Sequence, residues 1–213
     1  YSKGLPFLWA EKYEDALPFF EEAVKRNPRY AEAYFQIGFC NDLLLRNEAA
    51  IKAYTQAIQI KPDFSVAYNN RGNAYYNKGQ YDQAIKDYDK AIEIDPMYAN
   101  AYNNRGNAYG NKGQHDQAIK DYNKAIEIDP KNANAYNNRG LAYDNKGQYD
   151  QAIKDYDKAI EIDPMYANAY NNRGFIYVVR LGDKVKGCAD WEKACELGNC
   201  GNYNLSKQKG GCQ

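Results

Sequence analysis

Asparagine pairs supply the most regular chemistry in the chain. Asn69-Asn70, Asn103-Asn104, Asn137-Asn138 and Asn171-Asn172 recur at a constant interval, and Asn73 and Asn107 follow one helical turn later. A carboxamide donates and accepts at once, so such a series can pair with the amide and carbonyl of an extended backbone whatever its side chains. Asn is also a mediocre helix former, because its side chain competes for backbone partners, so each pair costs helix stability. Chemistry of other kinds is sparse. The lone histidine, His115, stands where sister segments carry Tyr81 and Tyr149, which reads as a packing or surface position. Acids such as Asp87, Asp89 and Glu93 recur with no pair singled out, and no Gly-rich phosphate loop occurs. Without an acid, base, nucleophile or metal cluster arranged as a unit, the expectation is a non-enzyme with no cofactor and no metal.

Cysteines form the second group. Cys40 stands alone and reads as a small buried apolar residue. Cys188, Cys195, Cys200 and Cys212 crowd the C-terminal end at spacings of 7, 5 and 12, unlike the close pairs of a zinc site. Disulfides are the alternative. Cys188 and Cys195 lie two turns apart on one face of the last long helix. Gly198 and Gly201 turn the chain, and Asn202 to Lys209 can return antiparallel as a capping helix. That return brings Cys200 towards Cys195 and Cys212 towards Cys188, one of the three pairings that four cysteines allow. Such bridges imply a periplasmic or extracellular location, and free thiols would imply a cytoplasmic one.

A strict internal repeat positions all of these residues. Pro28, Pro62, Pro96, Pro130 and Pro164 are each 34 residues apart, and Gly4, Gly38, Gly72, Gly106, Gly140 and Gly174 keep the same step. Segments 67–100 and 135–168 differ only at Asn73/Leu141 and Tyr76/Asp144. Within one unit, Ala67, Tyr68, Arg71, Gly72, Tyr75 and Tyr76 recur at three- and four-residue steps, the mark of a helix. Gly79 suits the left-handed residue after its end. Asp82 then places negative charge at the start of a second helix, whose apolar stripe is Ala84, Ile85, Tyr88, Ala91 and Ile92. Asp95-Pro96 ends it, because proline cannot extend the hydrogen-bond ladder. Gly72, Ala84 and Ala91 are small where the helices cross, and Tyr75 and Tyr88 fill the gaps. Neither helix buries its face alone, so the units must stack into an all-α solenoid. Arg71, Arg105, Arg139 and Arg173 recur beside the glycine, and pairing with a second-helix acid such as Asp87 is the expected role.

Composition narrows the function. The 28 Lys and Arg balance 28 Asp and Glu, so the basic face that nucleic acid or an anionic membrane requires is not expected. The longest apolar run, Phe175 to Val179, is far below the roughly 20 residues of a membrane-spanning helix.

These units resemble the tetratricopeptide repeat family, whose pattern of aromatic and small residues maps onto Tyr68, Gly72, Tyr75, Ala84, Tyr88, Ala91 and Pro96. The resemblance implies a right-handed superhelix of about five and a half hairpins, bacterial in style. Its expected divisions are a partial first repeat over 1–30, a divergent repeat over 31–64, three near-identical repeats over 65–168, a divergent last repeat over 169–198 and a Cys-containing cap over 199–213. In the divergent second repeat Leu45 replaces the turn glycine, and the last repeat matches only after a one-residue insertion in its turn. First helices line the concave face of this family. Asn70, Asn104, Asn138 and Asn172 match the asparagine ladder by which the O-GlcNAc transferase repeats hold a peptide backbone. The implied peptide site therefore comprises Asn69, Asn70, Asn73, Tyr76, Asn103, Asn104, Asn107, Asn137, Asn138, Asp144, Asn171 and Asn172. Chaperone-binding members clamp a C-terminal carboxylate with cations, but the basic positions here hold Asn69, Asn134 and Asn138. The expected partner is a protein or peptide. Two other readings stand beside it: asparagines merely copied by duplication along a hydrated groove, and self-association through Leu5, Phe7, Leu8 and Trp9.

Overall fold

The structure, a computed structural model, describes residues 1–212, and every regular element among them is helical. It divides into two units, Tyr1–Lys112 and Gly113–Gln213. In the first, a 3₁₀ turn at Ser2–Gly4 leads into α1 (Leu5–Trp9) and α2 (Tyr13–Arg26). There follow α3 (Ala31–Leu43), α4 (Asn47–Ile60), α5 (Ser65–Asn77), α6 (Tyr81–Ile94) and α7 (Ala99–Asn111). The second holds α8 (His115–Ile128), α9 (Ala133–Asn145), α10 (Tyr149–Ile162), α11 (Ala167–Phe175), α12 (Lys184–Glu196) and α13 (Gly201–Gln208). Within each unit every helix packs on the next, and first helices also touch one another, α3 on α5, α5 on α7 and α9 on α11.

Close approach of the two helices in a pair rests on glycine. A Cβ on Gly72 would lie 2.6 Å from the Tyr88 ring, and one on Gly140 would lie 2.8 Å from Tyr156. Both rings are fully buried. A further layer joins successive pairs. Ala74 of α5 packs into Ala50 and Tyr54 of α4, Ala108 of α7 into Ala84 and Tyr88, and Ile176 into Ala152 and Tyr156. Cys40 takes the same position against Ala16, Leu17 and Phe20, and burial pushes its thiol pKa up to about 11. It is the small apolar core residue its context implies.

The first helix of a pair ends in a Schellman turn. The Gly79 amide donates to the Tyr76 carbonyl (2.8 Å) and the Gln80 amide to the Tyr75 carbonyl (2.9 Å), with Gly79 at φ +72°. The same two bonds form at Leu45 and Arg46, yet Leu45 is held at φ +58°. There the turn is kept and the residue is strained.

Two expectations are revised. The additional residue of the last repeat is absorbed in its first helix and not in the turn: α11 passes at Phe175 into a π turn over Ile176–Arg180, the usual way a helix accommodates one inserted residue. At the other end, Leu5, Phe7 and Leu8 are half-buried against the Ala16, Leu17 and Phe20 cluster, and Trp9 alone of that set is exposed. The α1 segment satisfies its own apolar side chains, so the sticky end reduces to one tryptophan.

At the C-terminal end, α13 lies on α12, and the chain is paired at Cys188–Cys212 and Cys195–Cys200, with Cα separations of 5.5 and 3.9 Å. Among the described residues no helix is long and apolar enough to cross a membrane.

Two stability outcomes follow. Leu45→Gly should raise unfolding free energy by about 0.5–1 kcal/mol in urea titrations, because relief of the left-handed strain exceeds the entropy glycine adds to the unfolded chain. Loop-closure entropy assigns about 3 kcal/mol to the bridge spanning Cys188 and Cys212 and about 2 kcal/mol to the shorter one. Cys188→Ser with Cys212→Ser should therefore lower the thermal midpoint more than Cys195→Ser with Cys200→Ser.

Candidate peptide-binding site

Adjacent residues on a helix are rotated by about 100° from one another, so the two members of an asparagine pair cannot share a direction. The structure sorts them accordingly. Asn69, Asn103 and Asn137 are buried, whereas Asn70, Asn104, Asn138 and Asn172 are half-exposed. Asn69 and Asn137 are each covered by the outer asparagine of a neighbouring helix. Asn104 Nδ2 donates to Asn69 Oδ1 (3.0 Å) and to Asn73 Oδ1 (3.1 Å), while Asn69 Nδ2 donates to Asn70 Oδ1 (3.1 Å). In the second unit Asn172 Nδ2 donates to Asn137 Oδ1 (3.0 Å), and Asn137 Nδ2 to Asn138 Oδ1 (3.2 Å). The cap continues the series, with Asn202 of α13 donating to Asn171 Oδ1 (2.9 Å). Asn103, Asn107 and Asn138 are likewise engaged.

This placement corrects the expected site. Asn69, Asn103 and Asn137 lie beneath the surface, where Asn69 and Asn137 tie first helices together, as does Asp144, which is buried and accepts from Arg180 Nε at 3.2 Å. Asn73, Asn104 and Asn107 remain together on one surface of the first unit. With Asp42, Tyr76, Asn77 and Tyr88 they line a cavity of about 290 Å³ formed by α3, α5, α6 and α7. Tyr76 is half-buried, stacks edge-on to Tyr81 at 5.4 Å between centroids, and its hydroxyl accepts from Asn111 Nδ2 (2.6 Å). Spacing alone could not show the inter-helix bonds, which link residues 35 and 31 positions apart. Asp42 lies in the divergent second repeat, and of its equivalents Tyr76, Gly110 and Asp144 only the last is also an acid, so its position varies too much along the repeats to stand out.

Arginine fixes the frame behind this face. Arg71 makes a two-pronged bond to Asp87, 2.7 Å from each oxygen, and reaches back to Thr55 Oγ1 (3.0 Å). Arg139 does the same with Asp155 (2.8 and 2.6 Å) and Asn123 (2.6 Å), and Arg173 with Asp190 (2.9 and 2.7 Å) and Asp157 (2.5 Å). These guanidiniums also lie over Tyr68, Tyr136 and Tyr170 at 5.4–5.7 Å. The expected internal role of the arginines is the one the structure shows.

A difference between sister repeats reaches into the core. The buried Tyr88 hydroxyl donates to Asn73 Oδ1 at 2.8 Å. The equivalent position beside Tyr156 is Leu141, and the Tyr156 hydroxyl is buried without a partner. Burial pushes both hydroxyls above the usual tyrosine range. Tyr88→Phe should accordingly cost about 1 kcal/mol, whereas Tyr156→Phe should be neutral or stabilising. Asn73→Leu should cost about 1–3 kcal/mol by orphaning the Tyr88 hydroxyl, and chemical denaturation of the three variants reads all these values.

Comparison with known proteins agrees with this architecture. One TPR repeat model matches residues 46–79 and 72–113, and a second, Tetratricopeptide repeat, matches 99–132 and 133–166. The crystal structure of MamA superposes with a TM-score of 0.67 at 28% identity, covering 81% of this chain and 97% of that one. YrrB, described as a TPR protein with an unusual peptide-binding site, gives a TM-score of 0.67 at 23% identity, covering 89% and 97%. The C-terminal part of a TPR repeat-containing protein from Cytophaga hutchinsonii gives 0.73 at 20% identity, covering 92% and 78%. No curated protein sequence is significantly similar to the chain.

Proposed function

Because the chain belongs to the tetratricopeptide repeat family, we propose that it is a non-catalytic scaffold whose first helices hold an extended segment of a partner protein. The observation that carries this reading is the cavity of the first unit, where Asn73, Asn77, Asn104 and Asn107 gather beside Tyr76. The bonding within it defines what it can recognise. Asn104 spends its amide hydrogens on Asn69 and Asn73, so its carbonyl oxygen is the group left to meet a ligand. That oxygen suits ligand donors, namely backbone N–H groups and protonated side chains, whereas Asn73 Oδ1 already accepts from Tyr88 and Asn104. Asn104 therefore presents an acceptor and Asn73 its amide hydrogens, each residue specialised by the bonds it already makes. MamA and YrrB, which share the fold, support a scaffold reading, the latter through its described peptide-binding site. The two cysteine pairs suit an oxidising compartment such as a bacterial periplasm or the cell exterior.

Light scattering after size exclusion, without reductant, should give a concentration-independent mass near 24.3 kDa. Selection from a displayed random dodecapeptide library should then enrich binders. Asn104→Ala should weaken them about three- to tenfold, the worth of one hydrogen bond. Failure to enrich any peptide, or a mass that rises with concentration and falls on Trp9→Ala, would replace this reading with self-assembly.

A further inference from the structure

We infer that the cavity of the first unit is a subsite for a basic side chain of the bound segment, an arginine or lysine seated against Asp42. This deepens the peptide-binding reading and rests on it. Asp42, on the last turn of α3, lines the cavity with Asn73, Tyr76, Tyr88, Asn104 and Asn107. Its Oδ1 is buried with no hydrogen-bond partner, and burial raises its carboxyl above the usual aspartate range. Nearby cations are committed elsewhere. Arg46 binds Glu14 through two bonds of 3.0 and 2.5 Å, Lys78 binds Glu48 at 2.8 Å, and Arg71 is held by Asp87. A half-buried carboxylate with one oxygen buried and unpartnered is costly, and an entering cation removes that cost on binding.

The chain supplies its own picture of the occupant. Three repeats on, the residue equivalent to Asp42 is Asp144, which is buried where Asp42 is half-buried, and which carries Arg180 at 3.2 Å. The Arg180 guanidinium also lies over the rings of Phe175 and Tyr149, at 5.2 and 5.8 Å. In the first unit Tyr76 and Tyr88 supply rings at the cavity wall and Asn73, Asn77, Asn104 and Asn107 line it, but among the described residues none bonds the Asp42 Oδ1 as Arg180 bonds Asp144. Neutral carboxamides around a single carboxylate suit an organic cation better than a divalent metal, and among the described residues no three His, Cys, Asp or Glu gather to hold one.

The test uses the full oxidised chain and the selected dodecapeptides. Enriched sequences should carry Arg or Lys at one common position. Replacing that residue by citrulline or norleucine should weaken binding at least tenfold. Asp42→Asn should weaken the basic peptide by a similar factor and remove discrimination against the neutral analogue. If Asp42→Asn alters folding, seen as a shifted thermal midpoint, the analogue series on the unaltered protein decides alone. Enriched peptides lacking a basic residue, an unchanged discrimination factor in Asp42→Asn, or displacement by free calcium at constant ionic strength would each overturn the subsite while leaving peptide binding in place. Absence of any enriched peptide would overturn both.

Discussion

Glycine against an aromatic ring is the constraint from which the remaining contacts follow. At Gly38, Gly72, Gly140 and Gly174 a methyl group would come within 2.6–2.8 Å of Tyr54, Tyr88, Tyr156 and Trp191. The helices of a pair can approach only because that methyl is missing. Approach in turn buries the ring completely, so a tyrosine hydroxyl is carried into the core and needs an acceptor. It also brings the arginines beside Gly72, Gly140 and Gly174 within reach of an aspartate on the facing helix. Arg71 with Asp87 and Arg139 with Asp155 are the visible result, each pair largely withdrawn from water.

Burying such pairs gains little net stability, since desolvation offsets most of the Coulomb energy. Their geometry shows another effect. Each guanidinium is held by two oxygens within its own pair and by a third polar group on the preceding second helix, Thr55 for Arg71 and Asn123 for Arg139. A hairpin displaced by one helical turn would lose both connections and leave a buried charge unpaired. The arginines thus set register between successive pairs, while the alanines at Ala74 and Ala108 supply the apolar contact. Lys112 to Asp82 and Lys78 to Glu48 repeat the link at the exposed turns, where screening by water leaves each worth little.

Much of this was legible in sequence, because it depends on local spacing. The 34-residue step, the left-handed residue at Gly79, the strained substitute Leu45 and the Arg71–Asp87 pairing all follow from residue types within one hairpin. What spacing could not show depends on stacking. Both members of an asparagine pair looked equally available, yet Asn69 is covered by Asn104 from the next first helix. Asp144 looked like a groove residue until Arg180 reached it from the π turn, which appears in sequence only as a one-residue offset. Ala74 gave no signal at all, being one alanine among many, although it is the contact between repeats.

Two near-identical segments let the structure serve as its own comparison. Residues 67–100 and 135–168 share every glycine, arginine and second-helix residue, and differ only where Asn73 becomes Leu141 and Tyr76 becomes Asp144. Asn73 and Tyr76 both line the first unit's cavity. Divergence is confined to the face that the frame presents, and it is not free of cost. Leu141 leaves the Tyr156 hydroxyl orphaned and removes one acceptor from Asn172, which donates to Asn137 where Asn104 reaches both Asn69 and Asn73. Asp144 introduces a buried carboxylate that requires Arg180, and with it the π turn that carries Arg180. Each departure from the repeat therefore weakens or re-engineers the local bonding while leaving the glycine–ring contact intact, Gly140 on Tyr156 as Gly72 on Tyr88. A frame this insensitive to its outer residues can carry different side chains at successive steps of one face, and that property is what a surface needs in order to read an extended segment position by position.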